Sequence, residues 1–189
     1  MTLTSRSAPR TVLTRRAAPR TVLATRAGGM LLAAREAPAL SPARLGQIAG
    51  AVAAQPDGWS DVLRFEAGRR WYRRLELADD YEVWLLTWLP GQSTGFHDHG
   101  HAAGAFAVAR GGLSERTVAG AGRRVRHRTV PAGGVRRFGT HHVHDVINVF
   151  GEPAVSVHAY SPPLTAMRRY DLTPDGLVPV ATQSAEQGW

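Results

Sequence analysis

Gly91-Gln92-Ser93-Thr94-Gly95-Phe96-His97-Asp98-His99-Gly100-His101-Ala102-Ala103-Gly104-Ala105-Phe106-Ala107-Val108-Ala109-Arg110-Gly111 is the stretch on which the reading of the fold turns. In an extended chain, His97 and His99 point to one face about 6–7 Å apart, and Asp98 points to the other. Two imidazoles on the inner face of a barrel are placed to share one metal ion. His144, some 45 residues further on in another strand candidate, is a third ligand candidate. A His-x-His pair alone also occurs as exposed or hydrogen-bonded histidines, so its surroundings must decide.

Those surroundings are short β-rich runs broken by Gly and Pro. Residues 70–77 and 81–88, Arg-Trp-Tyr-Arg-Arg-Leu-Glu-Leu and Tyr-Glu-Val-Trp-Leu-Leu-Thr-Trp, flank Ala78-Asp79-Asp80 and read as a hairpin. Further strands are expected at 105–109, 113–118, 124–130, 143–150 and 154–160, with turns at Pro90-Gly91, Gly111-Gly112, Gly120 to Gly122, Ala132-Gly133-Gly134 and Gly151-Glu152-Pro153. Short strands at regular spacing predict an antiparallel barrel or sandwich, and small barrels commonly hold a ligand in the mouth. Ahead of them, Ser41 and Pro42 form a helix start, Leu45, Ile48, Ala49 and Val52 recur at helical spacing, and Pro56-Asp57-Gly58 ends the run. This amphipathic helix is expected to pack on the outside of the barrel.

At 189 residues the chain suits one domain, with or without a tail. The absence of cysteine excludes disulfides, thiolate metal sites, iron–sulfur clusters and a cysteine nucleophile, so a metal must be held by nitrogen or oxygen. The net charge of +8 suggests an anionic partner until its distribution is examined. All the basic residues are Arg, and six of them (Arg6, Arg10, Arg15, Arg16, Arg20, Arg26) lie in an acid-free segment of 28 residues, which leaves the remainder at +2. That segment repeats Ala-Pro-Arg-Thr-Val-Leu at 8–13 and 18–23 without an apolar face wide enough to bury. Residues 1–29 are therefore expected to form a disordered leader, with a nucleic-acid arm, a transit peptide or a start at Met30 as alternatives, and residues 30–189 a single domain. No run reaches the roughly 20 apolar residues that span a bilayer. A cytoplasmic monomer without nucleic-acid or membrane partners is expected.

The spacing from Gly91 through His97 and His99 to Gly111 resembles the first motif of the cupins, with Gly104 where many cupins carry a metal-ligating Glu. Pro131-Ala132-Gly133 followed by His144 and Asn148 is similar to the second motif, with a longer insertion. Gly95-Phe96-His97-Asp98-His99, His144-Asp145-Val146-Ile147-Asn148 and Glu152-Pro153-Ala154-Val155-Ser156-Val157-His158-Ala159-Tyr160-Ser161-Pro162-Pro163 more narrowly resemble the cysteine dioxygenase family, in its bacterial type. The resemblance covers roughly residues 60–175. It implies an all-β cupin barrel, a double-stranded β-helix or jelly roll, over about 60–175, with a helical part at about 41–56.

By the same resemblance, His97, His99 and His144 are the ligands of Fe(2+). His142 shares a face with His144, and the family register and the spacing to Asn148 favour His144. Three neutral imidazoles leave a metal one unit more positive than a set containing a carboxylate, which favours an anionic substrate ligand such as a thiolate. The resemblance implies that L-cysteine and O2 react there to give cysteine sulfinic acid. Arg74 and Tyr72, in Trp71-Tyr72-Arg73-Arg74, match the substrate-binding positions, and a guanidinium can hold a carboxylate through two bonds. On a strand Arg73 faces the opposite way. Ser156, His158 and Tyr160 alternate on one face and match the family's catalytic relay. Animal members link a Cys at the position of Gly104 to the counterpart of Tyr160, a bond this chain cannot make. The alternatives are a dioxygenase of another small thiol such as 3-mercaptopropionate, or a non-catalytic cupin that binds a small ligand.

Overall fold

The structure, a computed structural model, describes residues 38–119 and 124–184. The leader at residues 1–29, the Met30 start and the Gly120 to Gly122 turn lie outside the described residues.

The helix α1 spans Pro42–Ala53, one residue inside the predicted start and shorter than the predicted end. Ser41 caps it in an extended conformation, its hydroxyl accepting from the Arg44 backbone N–H at 3.3 Å, and Pro42 takes the first turn, where no N–H is needed. Leu45 and Ala49 are fully buried.

Eleven strands follow among the described residues: β1 Tyr72–Leu77, β2 Glu82–Trp88, β3 Phe96–Asp98, β4 Ala103–Arg110, β5 Gly112–Ala119, β6 Arg124–Pro131, β7 Val135–Phe138, β8 His144–Ile147, β9 Ala154–Ser161, β10 Ala166–Thr173 and β11 Gly176–Ser184. They form two antiparallel sheets, in the orders β1-β2-β9-β4-β7 and β11-β10-β3-β8-β5-β6. This is the all-β jelly roll that the sequence resemblance implies. Trp84, Leu86, Trp88, Phe106 and Val108 of the first sheet pack against Leu113, Val130, Val146 and Met167 of the second. The opposite face of the first sheet, with Val83, Leu85, Ala105, Ala107, Val155 and Val157, is covered by Leu45 and Ala49 of α1 and by Trp59. Strands β2 and β9 are therefore buried on both faces, which is why β2 reads as a nearly continuous apolar run and the polar Ser156, His158 and Tyr160 of β9 lie in the interior.

The boundaries depart from the sequence reading in three places. The strand predicted at 143–150 is only His144–Ile147, because Asn148 leaves the ladder and its amide donates to the carbonyls of Trp88 and Glu152. Residues 135–138 form β7, which polar Arg136 and Arg137 hide from a hydrophobicity reading. The second sheet continues past 175 through β11, an edge strand that tolerates Pro179 beside a register shift.

Candidate metal centre

His97 sits on β3 directly opposite His144 on β8, so the register of two neighbouring strands aims both rings inward. Gly95, at φ 67°, turns the chain into β3 in a conformation that a side chain would strain, and its carbonyl accepts from Nδ1–H of His97 at 2.9 Å. His99 follows β3 on the same side. Asp98 points away and accepts from the Tyr170 hydroxyl at 2.5 Å. The ring centroids lie 4.8 Å apart for His97 and His99, 4.9 Å for His97 and His144, and 5.1 Å for His99 and His144. One nitrogen from each ring falls within 4.8 Å of the others.

Burial pushes His97 and His99 well below the usual histidine range, and it lowers His144 as well. The rings are therefore neutral, the form that binds metal. With Nδ1–H of His97 on Gly95 and Nδ1–H of His144 on the Glu115 carboxylate at 2.9 Å, each of these rings carries its lone pair on Nε2. Nε2 of His97 lies 3.2 Å from Nε2 of His99. Three neutral rings whose nitrogens converge in a buried pocket can offer their lone pairs to a cation placed between them. The donor set thus fits a first-row metal ion bound by three imidazoles.

Sequence reasoning missed Glu115 on β5. Its carboxylate, 1% exposed, accepts from His144, from Nε2 of His142 at 3.1 Å and from Nε of Arg136. Burial pushes that carboxyl up, but the hydrogen bonds from His142, His144 and Arg136 outweigh it and hold the group well below the usual range. His142 stands behind Glu115, stacked on Phe138 with centroids 5.1 Å apart. Of the two candidates on that face, His144 is the one gathered with His97 and His99, although Glu115, His142 and His144 form a second cluster of ligand type.

Ser156, His158 and Tyr160 alternate on β9, all buried. Trp88 donates from Nε1 to the Ser156 hydroxyl at 2.9 Å, Ser156 lies 2.8 Å from Nε2 of His158, and Nδ1 of His158 lies 3.2 Å from the Tyr160 hydroxyl. The Tyr160 ring packs on His99 at 4.8 Å, which brings this chain to the three-histidine cluster. Burial holds His158 neutral and, together with the nearby Glu82, raises the Tyr160 phenol above its ordinary value. Gly104 pairs with Tyr160 on one side and Phe138 on the other. A Cβ at Gly104 would overlap the Phe138 ring and come within 2.9 Å of Cδ1 of Tyr160.

Tyr72 and Arg74 face the barrel side of β1 opposite Leu86 and Trp84, and Arg73 faces the other way opposite Leu85. Arg74 lies over the Trp84 ring at 5.3 Å and 3.6 Å from the buried carboxylate of Glu82. Arg70, just ahead of β1, is buried with its guanidinium 5.1 Å from the Trp88 ring centroid. A cavity of about 620 Å³, lined by His99, His101, Asp79, Ala102 and Pro162 among others, opens beside the cluster. No described helix is long and apolar enough to cross a membrane.

The family profile described as cysteine dioxygenase type I matches residues 43–173. Among curated proteins none matches the chain. Among solved structures the chain is similar to a Thermus thermophilus protein at 16% identity and a TM-score of 0.49, over 55% of this chain and 93% of that one. It is similar to a Klebsiella pneumoniae protein described as having a double-stranded β-helix domain at 20% identity and a TM-score of 0.48, over 65% and 93%. It is also similar to a cupin domain from Schizosaccharomyces pombe at 10% identity and a TM-score of 0.46, over 53% and 65%.

Proposed function

The chain belongs to the cysteine dioxygenase type I family, and from that premise we propose that it is an Fe(2+)-dependent enzyme that oxidises the thiol of free L-cysteine to cysteine sulfinic acid with O2. The reaction balances without a further reductant: both oxygen atoms end on sulfur, which gives up the four electrons that O2 takes. The observation that carries the reading is the convergence of three buried neutral imidazoles, with no carboxylate among them, beside a buried phenol held by its own relay.

His97, His99 and His144 would hold the metal, and the Gly95 carbonyl and Glu115 fix the rings of His97 and His144. Iron bound there supplies the redox chemistry that lets O2 react with a thiolate. Neutral protein ligands leave the positive charge of a divalent ion for the substrate to meet, and a chain without cysteine offers no competing thiolate. Trp88 is a donor only, so Ser156 accepts from it and donates its own O–H to Nε2 of His158. Neutral His158 then donates from Nδ1 to the Tyr160 oxygen, and the phenol proton is directed away from His158. The raised phenol stays protonated and acts as a hydrogen-bond donor to the reacting groups. Phe106, stacked on His158 at 5.2 Å, and Phe138, stacked on His99 at 5.1 Å, exclude water from this assembly. The substrate carboxylate is received on the β1 side of the barrel.

The test is O2 uptake by Fe(2+)-loaded protein over a panel of cysteine, 3-mercaptopropionate and cysteamine, with product mass determined. Uptake with cysteine in preference to the others, and a product heavier by two oxygen atoms, is expected. Preference for 3-mercaptopropionate would reassign the substrate, and no uptake with any thiol would leave a non-catalytic cupin.

A further inference from the structure

We propose that His142, outside the ligand set, is a positioning residue that holds two of the three metal-binding rings at once, His144 through Glu115 and His99 through Phe138. The role rests on the reading of the three-histidine centre given above. The ligand rings are fixed in different ways. His97 is tied by Nδ1 to the Gly95 carbonyl, and His144 by Nδ1 to Glu115. His99 has no such anchor among the described residues. Its orientation is set by the aromatic rings against it, Phe138 with centroids 5.1 Å apart and Tyr160 at 4.8 Å.

His142 stands behind both supports. It precedes β8 by two residues, and its Nε2 donates to Oε1 of Glu115 at 3.1 Å, the same oxygen that accepts from His144. Arg136 donates to the other oxygen, Oε2. With a fixed donor on each oxygen, the carboxylate is kept in the one rotation that serves Nδ1 of His144. The second contact is made by the ring face. His142 lies on Phe138 with centroids 5.1 Å apart and planes 18° from parallel, and Phe138 lies on His99 at 5.1 Å and 22°. The ring that orients His99 is therefore itself braced by His142. One side chain thus reaches two ligands by two chemically different contacts, a hydrogen bond and a stack, which separate variants can remove.

The experiment measures the affinity of the full chain for Co(2+) by competition with a chelator, together with the visible d–d bands that report the ligand geometry, well below the unfolding temperature. His142→Phe keeps a ring for the stack and removes the donor; His142→Gln keeps a donor amide and removes the stack. Each should weaken binding roughly threefold to tenfold, the worth of one such contact, and shift the bands. His142→Ala should weaken binding further, and His127→Ala, exposed on β6, should leave both readouts as in the wild type. Paired variants test the route. In a Glu115→Gln background His142→Phe should add no further loss, and in a Phe138→Leu background neither should His142→Gln. Additivity in either pair, or wild-type affinity and bands in either single variant, overturns the proposal. Should His142→Ala fail to fold, His142→Phe and His142→Gln decide alone. A wild-type protein that binds no Co(2+) overturns the three-histidine reading and this proposal with it, whereas failure of the assigned reaction, read by O2 uptake, leaves these metal readouts untouched.

Discussion

Gly104 on β4 and Phe138 on β7 stand opposite each other in the first sheet, and the Phe138 ring fills the space that a side chain at 104 would take. The absence of both a carboxylate ligand and a cross-linking cysteine at this position thus has a steric counterpart in the neighbouring strand. Gly104→Ala should cost about 1–3 kcal/mol by overpacking. The double change Gly104→Ala with Phe138→Leu should recover part of the loss relative to the sum of the single changes. Thermal unfolding of the four proteins checks this, and strict additivity would contradict it.

Glu115 reaches the three-histidine cluster through His144. Glu115→Gln keeps the shape but removes the charge that fixes the His144 ring and pairs with Arg136. Metal affinity should fall about 10–100-fold, as for other groups that orient a ligating histidine. Competition with a chelator measures it, and unchanged affinity would show that His144 is held by packing alone.

His97, His99, His144 and His158 are neutral in the fold because burial depresses them below 6.5. Below about pH 6.5 the unfolded chain binds more protons at these positions than the folded chain does, so stability falls as pH falls, by up to about 1.4 kcal/mol per pH unit for each group. Glu115, depressed below 4.5, adds a loss in the same direction at lower pH. Urea unfolding of the metal-free protein at about pH 8 and about pH 5 should show a marked loss at the lower value. Equal stability at both would mean that the rings are charged in the fold.

Tyr160→Phe removes the hydroxyl at the end of the relay without touching a metal-binding nitrogen. It should lower kcat by roughly a hundredfold while metal content stays at the wild-type level. Ser156→Ala should have a smaller effect in the same direction, because it acts through His158. A Tyr160→Phe protein with full kcat would remove the phenol from the chemistry.

The elements legible in the sequence were those written in a local period. Ser41 and Pro42 announce α1 by their own chemistry, and the alternation of His97 with His99, and of Ser156 with His158 and Tyr160, needs only the two-residue repeat of a strand. Glu115 was hidden because an acid in β5 reads as a solvated face until the pairing of β5 with β8 sets it beside His144. The β10–β11 hairpin escaped because, Met167 apart, most of its side chains face solvent.

In the proposed reaction both atoms of one O2 are joined to the sulfur of cysteine. Fe(2+)-loaded protein given L-cysteine under isotopically heavy O2 tests it directly, by the mass of the product. Cysteine sulfinic acid carrying the label in both new oxygens is the predicted result; cystine, or sulfinic acid with oxygen drawn from water, would contradict it.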